Sequence, residues 1–410
     1  VERLNMAQPS DIATALIHHP YRPAEGFAAP QPGVFKASTV FFPNMAAVRS
    51  TKWTDKSGYT YGVHGTPTTY MLEERLCALE GGLYCLLSPS GLAAVAHVAL
   101  AFLRTGDEVL IPENAYGPNK ALAAGELSGW GIRHRFYKPL DPQDLAASIS
   151  PATRLVWLEA PGSITMEFPD LPALVRVCRE HGVLCVLDNT WGAGLAFAPF
   201  DLLPGSSPAL GVDISVHALT KYPSGGGDVL MGSVVTRDAE LHRVLQLTHM
   251  RLGLSVGAND AETILRSLPS IALRYAAHDD SARQLARWCQ SRPEFSQVLH
   301  PALPGSPGHQ AWQALCKAGP GGAAGLFSVM VDARFSRAQV DAFCDALQLF
   351  KLGYSWGGST SLAMSYEIAA IRSAWPSALR PGTVVRFSIG LESAADLQDD
   401  LEQALQLAFA

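Results

Sequence analysis

Apolar positions along this chain fall into two rhythms that alternate through most of its length. From Thr66 to Leu79, TPTTYMLEERLCAL places Tyr70, Leu72, Leu76 and Leu79 at helical spacing, and Gly81-Gly82 ends the run. LLSPSGLAAVAHVALAFLRTGDEVLIP then reads as strand, glycine turn, helix from about Gly91, and a strand over Glu108–Ile111. LVWLEAPG (Leu155–Gly162) is another apolar run of strand length. Short apolar runs separated by helix-length connections are the pattern of parallel strands buried on both faces. The alternation continues to about Val235 and predicts a mostly parallel, doubly wound α/β sheet. A helical segment over 240–254 bridges to a different order of elements. There, a helical pattern over 272–290 precedes the strands LFSVMVD (Leu326–Asp332) and VVRFSIG (Val384–Gly390), with helices over 336–349 and 394–407. That order predicts a smaller α+β domain with a largely antiparallel sheet. Residues 1–60 show no period, yet Phe35, Phe41, Phe42 and Trp53 want burial, as in an arm lying on a neighbouring subunit. The expected divisions are an arm over 1–60, an α/β domain over 61–254 and an α+β domain over 255–410.

Composition narrows the function classes. The 410 residues are 48% hydrophobic and 17% charged, with net charge −6 and no Lys/Arg cluster. Nucleic acid and anionic membranes are therefore not expected partners, while a small anionic ligand at a local positive site is. The seven cysteines are scattered and form no CxxC, which reads as free thiols in a reducing, cytoplasmic setting. The first twenty residues lack the charged-then-apolar shape of a signal peptide. The longest apolar stretch, Leu92–Leu103, is interrupted by His97 and too short to span a bilayer. His18, His19, His217 and His249 have no metal-ligand spacing, so no metal is expected.

The chemistry concentrates in two segments. VLCVLDNTW (Val183–Trp191) is an apolar run ending in Asp188, and SVHALTKYPSGGGD (Ser215–Asp228) sets Lys221 just before glycines. Both fall at the carboxyl ends of expected strands, where open α/β sheets bind ligands. An acid and a lysine there suit pyridoxal 5'-phosphate (PLP), which needs a Schiff-base lysine and a carboxylate for its pyridinium nitrogen. Spacing alone leaves a second reading open, in which Asp188 caps a strand and Lys221 is a surface lysine. SPSGLAA (Ser88–Ala94) offers a helix N-terminus at Gly91, either a plain N-cap or a phosphate cradle. It is neither a Walker A loop nor a GxGxxG fingerprint. Tyr116, in PENAYGP, lies on a loop at the same edge, placed to stack on a ring or simply to pack the loop. Arg386 is a cation in an apolar strand and needs either an acidic partner or a ligand carboxylate.

Together these residues, with YGVHGTPTTYMLEERLCALEGG (Tyr61–Gly82), SGLAAV, AYGP, LDNTWGAG, ALTKY, HPALPG (His300–Gly305) and YSWGGSTSL (Tyr354–Leu362), carry a resemblance. From about Thr39 onward the chain resembles the Cys/Met-metabolism family of PLP enzymes, of the aspartate-aminotransferase-like fold type I class. YSWGG and EAPGSIT (Glu159–Thr165) bring it closest to the cystathionine β-lyase branch, where γ-carbon enzymes usually have a leucine at the position of Trp356 and an ESPTNP-like strand end. The resemblance implies a carbon–sulfur β-lyase acting on a small sulfur amino acid, with γ-elimination, γ-replacement or broad cysteine desulfhydration as alternatives on the same scaffold. A PLP-binding regulatory protein with little turnover is the alternative from another class. It further implies that Lys221 forms the Schiff base and moves protons, Asp188 holds the pyridinium nitrogen, and Tyr116 stacks on the ring. Gly91, Leu92 and Thr220 would hold the phosphate, Arg386 the substrate α-carboxylate, and Ser355 and Trp356 the approach to it. Tyr61 would reach the phosphate of a neighbouring subunit, giving shared sites in dimers that build a homotetramer.

The chain also departs from the family pattern. Val63 stands where Tyr-x-Arg usually puts an arginine on the phosphate, with His64 adjacent. A serine usual before the lysine is replaced by Leu219 or, in another register, Ala218. Gly225-Gly226-Gly227-Asp228 replaces Gly-His-Ser-Asp. Phosphate binding has lost side-chain donors, which predicts either weaker PLP retention or a substitute cation from elsewhere in the chain.

Overall fold

Seven strands build the first sheet: β1 (Tyr84–Ser88), β2 (Glu108–Pro112), β3 (Arg133–Tyr137), β4 (Thr153–Glu159), β5 (Leu184–Asp188), β6 (Ile214–Ala218) and β7 (Gly232–Thr236). They lie in the order β1-β7-β6-β5-β4-β2-β3. The pairs from β3 across to β6 are parallel, whereas β7 runs antiparallel to both β6 and β1. The sheet is thus mostly parallel with one reversed strand. Apolar runs report burial on both faces and not direction, and β7 is buried along its whole length. In this computed structural model residues 11–18, 28–207, 209–316 and 319–409 are described. Much of the expected arm, and His19, lie outside the described residues.

Helices cover both faces of the sheet. The helix Pro67–Glu80 starts at a capping box in which Thr66 and Thr69 satisfy each other's backbone amides, with Pro67 at the first helical position. It ends at Gly81, whose φ of +74° is left-handed and suits glycine. Leu72, Leu76 and Leu79 bury its apolar stripe together with Leu174 and Cys178 of the helix Leu171–Glu180. The helix Gly91–Phe102 packs on the opposite face with Leu245 of the helix Ala239–Leu252.

A second sheet contains β8 (Phe295–Leu299), β9 (Leu326–Asp332), β10 (Lys351–Leu352), β11 (Leu362–Tyr366) and β12 (Gly382–Ser388), in the order β10-β11-β12-β9-β8. All its pairs are antiparallel except β10 with β11. Sequence pattern reveals β9 and β12 but not β8, β10 or β11, which are short and mix polar with apolar residues. Residues on β12 alternate strictly. Val385 and Phe387 pack under the helices Arg337–Ala346 and Ala394–Phe409, while Val384 joins the core shared with the first sheet. Arg386 has the same parity as Val384 and so points toward the first sheet.

The N-terminal segment behaves in two ways. Leu16 of the short helix Ile12–Ile17 is 1% exposed and belongs to the core of its own chain. Phe41, by contrast, is 93% exposed within one protomer. Among the described residues no helix is long and apolar enough to cross a membrane, and no three His, Cys, Asp or Glu side chains converge as a metal site.

Candidate active site

The ends of β4, β5 and β6 bring the first charged groups together. Asp188 is the last residue of β5, and its Oδ1 accepts from Thr190 N at 3.0 Å. Lys221 follows the end of β6 by three residues. Its Nζ donates to Ser355 Oγ at 3.0 Å and lies 5.4 Å from the centre of the Trp356 ring. Trp356 is in turn held against Tyr222, 5.5 Å between ring centres. The chain between β10 and β11 therefore fixes the direction of the lysine.

Arg386 arrives from the second sheet. It is buried, yet its guanidinium donates only to carbonyl oxygens, Ser163 O at 3.1 Å and Tyr354 O at 2.8 Å. The Tyr366 ring lies 5.4 Å from it, and no carboxylate pairs with it among the described residues. Of the two readings open in the sequence, the internal ion pair is not found among the described residues. A buried, unpaired guanidinium is costly unless an anion joins it.

The groups feel one another's charge. Burial, then the charge of Arg386, push the Lys221 amine down to about 8, against the opposing pull of Asp188. Burial lowers Arg386 as well. Burial raises Asp188, with the Thr190 hydrogen bonds opposing. Tyr116 is the N-cap residue of the helix Gly117–Leu122, and its phenol is raised by burial, then by Asp188 and Glu159.

Glu159 is a site residue that the sequence pattern offered and sequence reasoning passed over. It ends the apolar run LVWLE as Asp188 ends VLCVLD. In the parallel register of β4 and β5 the two acids lie side by side. Glu159 Oε2 accepts from Tyr116 N at 2.7 Å and so anchors the loop that carries the tyrosine. Burial, then the charge of Asp188, push the Glu159 carboxyl well above its ordinary range. Two adjacent buried carboxyls do not both ionise readily, so the pair favours a single negative charge shared between them.

The phosphate end is built from backbone. Ser90 caps the helix Gly91–Phe102 by accepting from Ala93 N at 3.0 Å, leaving the Gly91 and Leu92 amides free at the N-terminus. A Cβ at Gly91 would come 2.5 Å from the Ala218 Cβ, so only glycine lets this helix end meet the end of β6. The Thr220 hydroxyl is engaged with Met231, accepting from its N at 3.2 Å and donating weakly to its O at 3.4 Å. An amine, a buried carboxylate, an exposed aromatic face and free helix-end amides are a donor set that fits PLP.

Tyr61 is the one expected residue that does not join this group within a protomer. It opens with Val63 onto another cavity, whose lining includes none of Lys221, Asp188, Tyr116 or Gly91. His64 turns away from that cavity, its Nδ1 2.7 Å from Thr60 Oγ1 and its ring stacked on Trp53.

Comparison with known proteins places these features in a wider set. Residues 13–406 match the family model described as Cys/Met metabolism PLP-dependent enzyme. A putative cystathionine beta-lyase of Rhizobium johnstonii is 40% identical, covering 99% of this chain and 98% of that protein. An L-alanine/L-glutamate racemase of Wolbachia pipientis is 32% identical over 91% of this chain and 92% of its own. The crystal structure of metB from Corynebacterium glutamicum superposes with a TM-score of 0.85 at 30% identity, covering 97% of this chain and 98% of that one.

Proposed function

The chain belongs to the Cys/Met-metabolism family of PLP-dependent enzymes and takes PLP as its cofactor, and on that premise we propose that it is a carbon–sulfur β-lyase cleaving L-cystathionine to homocysteine, pyruvate and ammonia. The observation that carries this reading is the buried Arg386, without a carboxylate partner among the described residues and sharing a site with the Lys221 amine. A guanidinium fixed by two carbonyls can still grip an α-carboxylate, and doing so presents the α-hydrogen to a base. The choice of the β-carbon and of L-cystathionine rests on YSWGG, on EAPGSIT and on the Rhizobium relative.

When bound, PLP supplies a conjugated ring that accepts the electron pair left as the α-C–H bond breaks. Lys221 is the amine that would hold its aldehyde carbon. Gly91 and Leu92 would give their amides to the phosphate, with Thr220 beside them, and Tyr116 would cover the ring. Asp188, beside Glu159 in the strand register, would face the ring nitrogen. As a free amine, Lys221 Nζ would take the α-proton and then deliver a proton to the leaving sulfur. Ser355, at 3.0 Å, keeps Nζ aimed during both transfers, and Trp356 excludes water from one side. An amine lowered to about 8 is neutral often enough near pH 7 to serve as the base.

In this reading residues 61–254 carry the cofactor and 255–410 the substrate arginine. Because Tyr61 faces a cavity apart from Lys221, it serves the phosphate of a second copy, and the working unit is at least a dimer. The test is thiol release from L-cystathionine by PLP-loaded protein, read with a thiol reagent. Wild type should release thiol continuously, and Lys221→Ala should slow it by about a thousandfold. No release from wild type, or a variant within a few-fold of it, would refute the lyase and the role of Lys221 respectively.

A further inference from the structure

Val63 leaves a positive charge missing from the expected phosphate contacts, and the structure contains a candidate to fill it. The cavity onto which Tyr61 and Val63 open measures about 620 Å³, and Lys36 shares its wall. Backbone contacts fix that neighbourhood. Gly62 N donates to Ser38 O at 2.8 Å, and Thr39 bridges to Tyr61 as an isolated antiparallel pair. A Cβ at Gly62 would stand 1.9 Å from the Ala37 carbonyl oxygen, so only glycine permits the approach. Residues 36–39 are thereby locked in register with 61–63, and Lys36 cannot drift from Tyr61 by more than its own side chain.

The charge balance of the cavity is one-sided. Ser38, Thr66 and Ser255 add polar groups, and no Asp or Glu among the described residues lines it. Among the described residues Lys36 makes no ion pair there. A cation without an acid, among hydroxyls, favours an incoming anion. His64, the other basic neighbour, is committed to Thr60 and Trp53.

We infer that Lys36 is the substitute cation, its ammonium contacting the PLP phosphate in the same second-copy site that Tyr61 reaches. This rests on the reading that Tyr61 serves that phosphate. Lysine supplies a point charge where an arginine would supply a fork, so the contact is less directional but keeps the charge-assisted hydrogen bond.

The test compares binding of PLP with that of pyridoxal, which lacks the phosphate, to cofactor-free wild type, Lys36→Met, Tyr61→Phe and the double variant Lys36→Met/Val63→Arg. Lys36→Met should weaken PLP binding by about tenfold or more and leave pyridoxal unchanged. Adding Val63→Arg should restore most of the loss. An equal loss for both ligands would overturn the inference, because Lys36 would then be supporting the fold. If Tyr61→Phe alone lost affinity selectively for PLP, Lys36 would be refuted and the Tyr61 reading kept. If neither variant discriminated the two ligands, both would fall.

Discussion

Each charged group of the site has a chemistry set by its surroundings, and Lys221 shows it best. Burial and Arg386 bring its amine to about 8 from an ordinary value of 10.5. Only the neutral amine attacks an aldehyde, so PLP uptake by cofactor-free protein should accelerate with rising pH, with a midpoint near 8, and level off above it. Following the absorbance of the bound cofactor after rapid mixing checks this, and a midpoint near 10.5 would show that Lys221 is not desolvated. At this scale the sequence is most readable where a charge interrupts an apolar run, as at Asp188, Lys221 and Arg386. Glu159 ends such a run too, but its partnership with Asp188 depends on strand register, which the pattern does not contain. That no acid among the described residues lies beside Arg386 is likewise visible only in space, since any of 37 acidic residues could have paired with it.

Elements meet at the site through one loop, residues 162–168, after β4. Ser163 gives its carbonyl to Arg386, and Ile164 accepts from Ser328 of β9 at 2.6 Å. Behind them Arg372 donates to Glu167 at 2.7 Å and to Thr165 at 2.6 Å, with its side chain 3% exposed and that of Glu167 4%. This pair ties the segment before β12 to the first sheet. Arg372→Met would strand the Glu167 charge in the interior, and equilibrium urea unfolding should show a loss of about 3–5 kcal/mol. A loss under about 1 kcal/mol, the range of an exposed pair, would mean that water reaches Glu167. The elements bearing Asp188, Lys221 and Gly91 were legible because long apolar runs and a Ser-Gly turn mark them. β8 and β10 were not, because edge strands carry little periodic signal, and β11, though paired on both sides, is mostly half-buried and mixes polar with apolar residues. The reversal of β7 escaped for a related reason: a strand buried on both faces looks the same in either direction.

Over the whole molecule, the site lies between the carboxyl edge of one sheet and the inner face of the other. Tyr354 is 75% exposed beside it, and Phe41 is fully open to solvent at another edge of the chain. If Tyr61 and Lys36 serve a second copy as proposed, such exposed aromatics are the surfaces that copy would cover. Assembly is decided by which surfaces match, so the sequence could suggest it only through resemblance and through aromatics that find no burial. The same limit applies to the reaction, because the family relatives include a racemase as well as a β-lyase, and both begin by removing an α-proton. Identifying the products formed from L-cystathionine by PLP-loaded protein separates these outcomes. Pyruvate and homocysteine in equal amounts are expected if Lys221 drives elimination from the β-carbon. 2-Oxobutyrate with cysteine would mean cleavage at the γ-carbon, and intact substrate with an inverted α-centre would mean that proton transfer at Lys221 ends in racemisation; either would contradict the β-lyase.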